Sequence, residues 1–120
     1  MTTTIEILPK TPLREAMTQA PAAALDVGQF KTGLLQAWGD ISAGDTVAIV
    51  IQQANINEDS AFADIAAMSL TLDSTMGAAT AGNSLEIGVA GRFIRLKITP
   101  TYGAAINGVN VRAIVHLNRD

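Results

Sequence analysis

The chain has 120 residues, no cysteine, one histidine and a net charge of −3; 48% of its residues are hydrophobic but only 4% are aromatic. That length suits one domain able to bury roughly two-thirds of its unfolded surface, around a core of small aliphatic side chains. The missing cysteine excludes a disulfide framework, a thiolate zinc site and a thiol nucleophile, and the acidic balance disfavours a dedicated nucleic-acid binder.

The opening MTTTIEILPK has neither the basic first region nor the apolar block of a secretory signal. The longest apolar run, VAIVI, falls far short of the ~20 residues needed to span a bilayer. The expectation is a soluble protein, made in the cytoplasm, with no membrane partner.

Pro9, Pro12 and Pro21 fall within the first 21 residues. Proline removes a ladder donor and fixes its own torsion, so this segment is not a central strand. TPLREAM predicts a short helix, with Thr11 as N-cap and Pro12 at its first position, and PAAA an extended connector. Residues 1–23 therefore read as an N-terminal arm and 24–120 as the body. Extended, the arm reaches at most ~80 Å, far enough to lie on a neighbouring subunit. This makes Pro9, Pro12 and Leu13 candidate interface residues.

From Ala24 onward, short apolar runs alternate with turns. ALDV and GLLQAW come first, then the turn GDISAGDT. VAIVIQQ is apolar at Val47, Ile49 and Ile51 and also at Ala48 and Val50, which predicts a central strand covered on both faces. NINEDS is a turn by composition. FADIAAMSLTLD predicts one or two strands, with SAFADIAAM the one stretch whose alanines also suit a helix. TMGAATAGNS reads as a small-residue loop. LEIGV sets Leu85, Ile87 and Val89 on one side. FIRLKIT points Ile94, Leu96 and Ile98 inward and Arg95, Lys97 and Thr99 outward. VNVRAIVHL points Val109, Val111, Ala113, Val115 and Leu117 inward and Asn110, Arg112 and His116 outward. Short strands at even spacing predict an all-β fold: an antiparallel β-sandwich or jelly roll of about eight strands with an extended N-terminal arm.

Catalytic signatures are missing from the sequence. His116 lies mid-strand beside Arg112, a poor setting for the imidazolium of a Ser-His-Asp mechanism, and no G-x-S-x-G or H-E-x-x-H occurs. NINEDSAFADIA alternates like a calcium loop, but Ser60 and Ala66 stand where its glycine and glutamate belong. No metal or cofactor is expected. Trp38 and Tyr102 raise a glycan-binding module, whose mark would be both rings on one concave surface. Convergence of Asp40, Asp45 and Asp64 in a pocket would instead mark a small hydrolase or isomerase.

Charge is segregated. Residues 32–91 hold Asp40, Asp45, Glu58, Asp59, Asp64, Asp73 and Glu86 without a lysine or arginine, whereas 92–119 hold Arg92, Arg95, Lys97, Arg112 and Arg119 without an acid. If the last two strands are neighbours, Arg95, Lys97, Arg112 and His116 converge on one outer face. That stripe either meets carboxylates of the same molecule, at ~0–1 kcal/mol per exposed pair, or docks an acidic patch on another subunit. Nucleic acid is disfavoured for want of interleaved aromatics.

The order ALDV, SAGDTVAIVIQQ, EDSAFADIAAM, GRFIRLKITP and a final valine-rich strand resembles small β-sandwich proteins of tailed-phage structural modules. The closest motifs are Phe62-Ala63-Asp64-Ile65 and Phe93-Ile94-Arg95, and the resemblance covers residues 24–117. It implies a virion component: a capsid decoration or cement protein that forms a homotrimer, binds the major capsid protein on the outer shell and carries no catalytic group. Another tail or neck component is the alternative within that class.

Overall fold

The computed structural model describes residues 2–30, 32–75, 78–86, 93–106 and 108–119. Among the described residues nine strands form two antiparallel sheets: β1 (Thr2–Leu13), β2 (Met17–Thr18), β3 (Leu25–Asp26), β4 (Thr32–Asp40), β5 (Thr46–Ala54), β6 (Ala63–Asp73), β7 (Ala78–Glu86), β8 (Phe93–Thr101) and β9 (Val109–Asn118). One sheet runs β1-β9-β4-β7 and the other β2-β8-β5-β6, with β3 also on β8. β2 pairs through Met17 with Ile98, and β3 through Leu25 with Ile94, so the two are halves of one edge strand interrupted by a 3-10 turn at Pro21–Ala23. Counted that way there are eight strands, ordered 1-8-3-6 and 2-7-4-5. This is the jelly-roll arrangement of two interlocked Greek keys.

Period-two patterning sets the core. Leu35, Ala37, Val47, Ile49, Ile51, Leu72, Ile94, Leu96, Ile98, Val111, Ala113, Val115 and Leu117 are fully buried between the sheets. Each burial of a side chain of Val or Leu size is worth about 1.5–3 kcal/mol. β5 lies between β8 and β6, a central strand as expected, but Ala48 and Val50 on its outer side are only half-buried.

The N-terminal segment corrects the arm expectation. Residues 2–13 are an edge strand paired to β9, and 17–18 pair to β8. Pro9 and Pro12 are tolerated because one side of an edge strand needs no ladder donor. Register shifts between Glu6 and Leu8 and between Leu8 and Thr11 bend the strand, and the first lets consecutive Ile7 and Leu8 both enter the core. Thr11–Leu13 is strand where a helix was expected.

Two other expectations change. The stretch read as a small-residue loop supplies most of β7, and Leu85 and Glu86 of LEIGV complete it as the expected strand, paired along β4 from Trp38–Ala78 to Thr32–Glu86. SAFADIAAM forms a 3-10 turn at Asp59–Ala61 and then β6, with no α-helix among the described residues. Ile87 and Val89 lie outside the described residues.

Candidate interaction surfaces

The sheet assignment separates the basic residues. β8 belongs to one sheet and β9 to the other, so Arg95 and Lys97 point outward on one side of the sandwich while Arg112 and His116 point outward on the other. Alternation gave the correct face for each residue. The single stripe does not exist, because β8 and β9 lie in different sheets.

On the β8 side, Arg95 is only 4% exposed. Its Nε donates to Gln52 Oε1 at 2.8 Å, its Nη1 to Asp59 Oδ1 at 2.6 Å and to Gln19 O at 3.1 Å, and its Nη2 to Asp59 O at 3.4 Å. The Phe62 ring covers the guanidinium, 4.2 Å from its centroid. Gln52 Nε2 in turn donates to Asp64 Oδ1 at 2.9 Å, and Lys97 Nζ stands 3.7 Å from Asp64 Oδ2. Register explains the cluster: Gln52 lies opposite both Arg95 on β8 and Asp64 on β6. Arg95, expected at an interface, is a fastener that pins the 55–62 loop onto the sheet. Lys97 remains partly exposed.

On the β9 side, Arg112 Nε donates to Glu6 Oε2 at 2.7 Å and its guanidinium lies 5.0 Å over the Trp38 ring. Glu6, Arg112 and Trp38 thus form a stack across β1, β9 and β4. Beside it Lys10, Trp38, Gly39, Asp40, Asn110 and Arg112 line a cleft of about 320 Å³, with Lys10 Nζ 3.5 Å from Asp40 Oδ2. His116 Nε2 donates to Gln36 Oε1 at 3.2 Å, and Nδ1 is 2.9 Å from Thr4 Oγ1. Four cations therefore meet carboxylates of their own molecule. Except for Arg95, these pairs are substantially exposed and each is worth about 0–1 kcal/mol.

The ends of the sandwich carry the remaining candidates. Pro12 and Leu13 lie at the β1 end, beside a groove that also includes Met17 and Ile106; Pro9 is exposed on the same strand. Tyr102 donates to Leu13 O at 3.3 Å and is half-buried there, outside the cleft that holds Trp38. Buried Asp45 accepts from Gly103 N at 3.1 Å. Asp45 precedes β5 at one end, whereas Asp64 pairs near its other end, so Asp40, Asp45 and Asp64 share no pocket. Among the described residues no cluster of His, Asp and Glu could hold a metal ion, and no helix is long and apolar enough to cross a membrane.

Sequence reading missed Gln19, Gln52 and Glu6. Two glutamines and an edge glutamate carry no periodic or motif signal. Only the register that places them opposite Leu96, Arg95 and Ile114 gives them meaning.

No family model and no curated protein matches the sequence. Solved structures do match the fold. The structure of infectious bursal disease virus Gx strain aligns at TM-score 0.60 and 10% identity, over 98% of this chain and 31% of that one. The infectious bursal disease virus VP2 subviral particle aligns at 0.57 and 7%, over 98% and 32%. The PBSX exported protein XepA aligns at 0.58 and 12%, over 97% and 37%. The chain spans about a third of the length of each. At such identities the likeness is one of fold.

Proposed function

We propose that this protein is a non-enzymatic virion structural component: a capsid decoration protein that self-associates as a homotrimer and binds the major capsid protein on the outer surface of a phage head. The observation carrying this reading is the jelly-roll fold, which aligns over almost the whole chain with virus structures and with the PBSX exported protein XepA. The side chains agree with it. Among the described residues, polar and charged groups fasten strands and loops to one another.

Heads assembled without this chain test the reading. Added protein should co-sediment with them to saturation at a fixed copy number, and reversing Lys97 and Arg112 together to glutamate should weaken that binding. Protein that stays in the supernatant at every ratio rejects the reading, and recovery with purified tails instead of heads would move it to a tail role. A glycan-binding sandwich is the second reading; it keeps the Trp38 cleft but lacks Tyr102, which lies outside it. Retention on immobilised glycans, lost in Trp38→Ala, would support that alternative.

A further inference from the structure

Among the described residues two large aliphatic side chains stand exposed, Ile56 at 60% and Ile106 at 54%. The fold sets them at opposite ends. Ile56 follows the Ala54 end of β5, whereas Ile106 lies between Thr101 of β8 and Val109 of β9. Thr46 pairs with Thr101 and Ala54 with Phe93, so the length of a nine-residue strand separates the ends, about 27 Å at about 3.4 Å per residue.

Their surroundings are complementary. Ile56 is a knob on a loop that is already fixed: Asn57 Nδ2 donates to Pro21 O at 3.0 Å, Ala61 N to Glu58 O at 3.0 Å, and Arg95 holds Asp59. Such a loop loses little freedom on docking. Ile106 instead rims a groove of about 510 Å³ with Leu13, Ala16 and Met17, and Arg14 and Glu15 at its polar margin. Glu58 beside the knob and Arg14 beside the groove each form no ion pair with a described residue; Arg14 Nη2 donates to Ile106 O at 3.4 Å.

We propose that Ile56 of one copy seats in the Leu13–Met17–Ile106 groove of the next, with Glu58 meeting Arg14. Glu15 on the same margin restricts the approach to the orientation that keeps Glu58 on the arginine side. The contact joins two different patches, so it builds a ring where the rotation closes and a chain where it does not. One isoleucine and one exposed ion pair make a small interface. It holds weakly in dilute solution and firmly where copies are crowded on a repeating surface. The inference rests on the self-association in the function proposed above, supplies its interface, and is independent of head binding.

The test is sedimentation velocity of the full chain over rising concentration. Ile56→Asp and Ile106→Asp change exposed positions, so both variants should keep the wild-type thermal transition while self-association weakens at least about tenfold. Mixed in equal amounts, they should form a one-to-one complex and nothing larger, since the mixture retains one intact knob and one intact groove. Arg14→Glu and Glu58→Arg should each weaken association and together restore it. A wild type that stays monomeric throughout, variants that associate like wild type, or a mixture that forms no complex overturns the proposal. Unchanged association with head binding lost in Ile106→Asp also overturns it, since the groove would then belong to the capsid. Association sensitive to these variants without any head binding supports the interface and removes only the decoration reading.

Discussion

Gln19 Nε2 donates to the carbonyl of Ile7 at 2.8 Å, joining the edge of one sheet to the edge of the other. The bulge between Glu6 and Leu8 takes Ile7 out of the β1–β9 ladder, and its carbonyl would be orphaned without this amide. The same side chain accepts from Leu96 N at 2.9 Å, while Gln19 N donates to Leu96 O at 3.0 Å. Gln19 is 9% exposed, and it continues the β8 ladder where the backbone of β2 turns away.

Gln19→Leu fills the same space but leaves the Ile7 carbonyl and the Leu96 N–H unpaired. Two such groups cost about 1–3 kcal/mol each, so urea denaturation should show a loss of about 2–6 kcal/mol with an unchanged slope.

Arg95 and Lys97 stand two residues apart on one strand and separate two energetic regimes. Arg95→Met removes bonds to Gln52, Gln19 O and Asp59 and should cost about 2–4 kcal/mol. The Asp59 side chain is 80% exposed, so water takes up that carboxylate and holds the loss below the fully buried case. Arg95→Lys should not rescue, because an ammonium lacks the planar fork that reaches three partners. Lys97→Ala, 3.7 Å from a half-exposed Asp64, should change stability by less than about 1 kcal/mol. Amide hydrogen exchange across residues 55–62 separates the two: it should rise in Arg95→Met and stay as in wild type in Lys97→Ala.

The turns before β5 and after β8 interlock. A Cβ on Gly103 would lie 2.8 Å from the Gly44 carbonyl oxygen, and Gly103 N donates to Asp45. Gly103→Ala should push the turns apart and cost about 1–3 kcal/mol. Gly44 has open space for a methyl group but a φ of +87°, so Gly44→Ala should cost about 1 kcal/mol through backbone strain alone. Thermal unfolding of the two variants, with the larger fall in Gly103→Ala, checks both.

Trp38 is the only tryptophan, and Arg112 covers its ring. Arg112→Ala should uncover the indole and shift its fluorescence to the red, with a stability loss of about 0.5–2 kcal/mol from the stacking contact and the Glu6 pair. Glu6→Gln should weaken the pair and leave the emission near that of wild type.

These examples show what the sequence could convey. Alternation placed Ile94, Leu96, Ile98 and the five inward residues of β9 correctly, because each strand keeps one face in the core. It could not say that β8 and β9 belong to different sheets. Period two encodes a face, whereas the choice of sheet depends on which strands each one pairs with. The prolines of the first 21 residues ruled out a central strand but not an edge strand, and β1 is an edge strand. The 78–84 part of β7 was illegible because alanine and glycine carry little strand preference, and its identity comes from pairing with β4. The segregated charges were visible, and so was the option that they meet within one molecule. Which acid meets which base was not, since Arg95 with Asp59 and Arg112 with Glu6 are separated by 36 and 106 residues.

Everything proposed about function turns on whether copies of this jelly roll sit on a particle. Cryo-electron microscopy of purified particles made with the chain present, compared with particles made in its absence, answers this. Repeated outer-surface density should appear that accepts a two-layered sandwich of 43 × 28 × 22 Å and vanishes with the chain. Identical maps from the two preparations, with the protein recovered only in the unassembled fraction, would contradict a role on the virion.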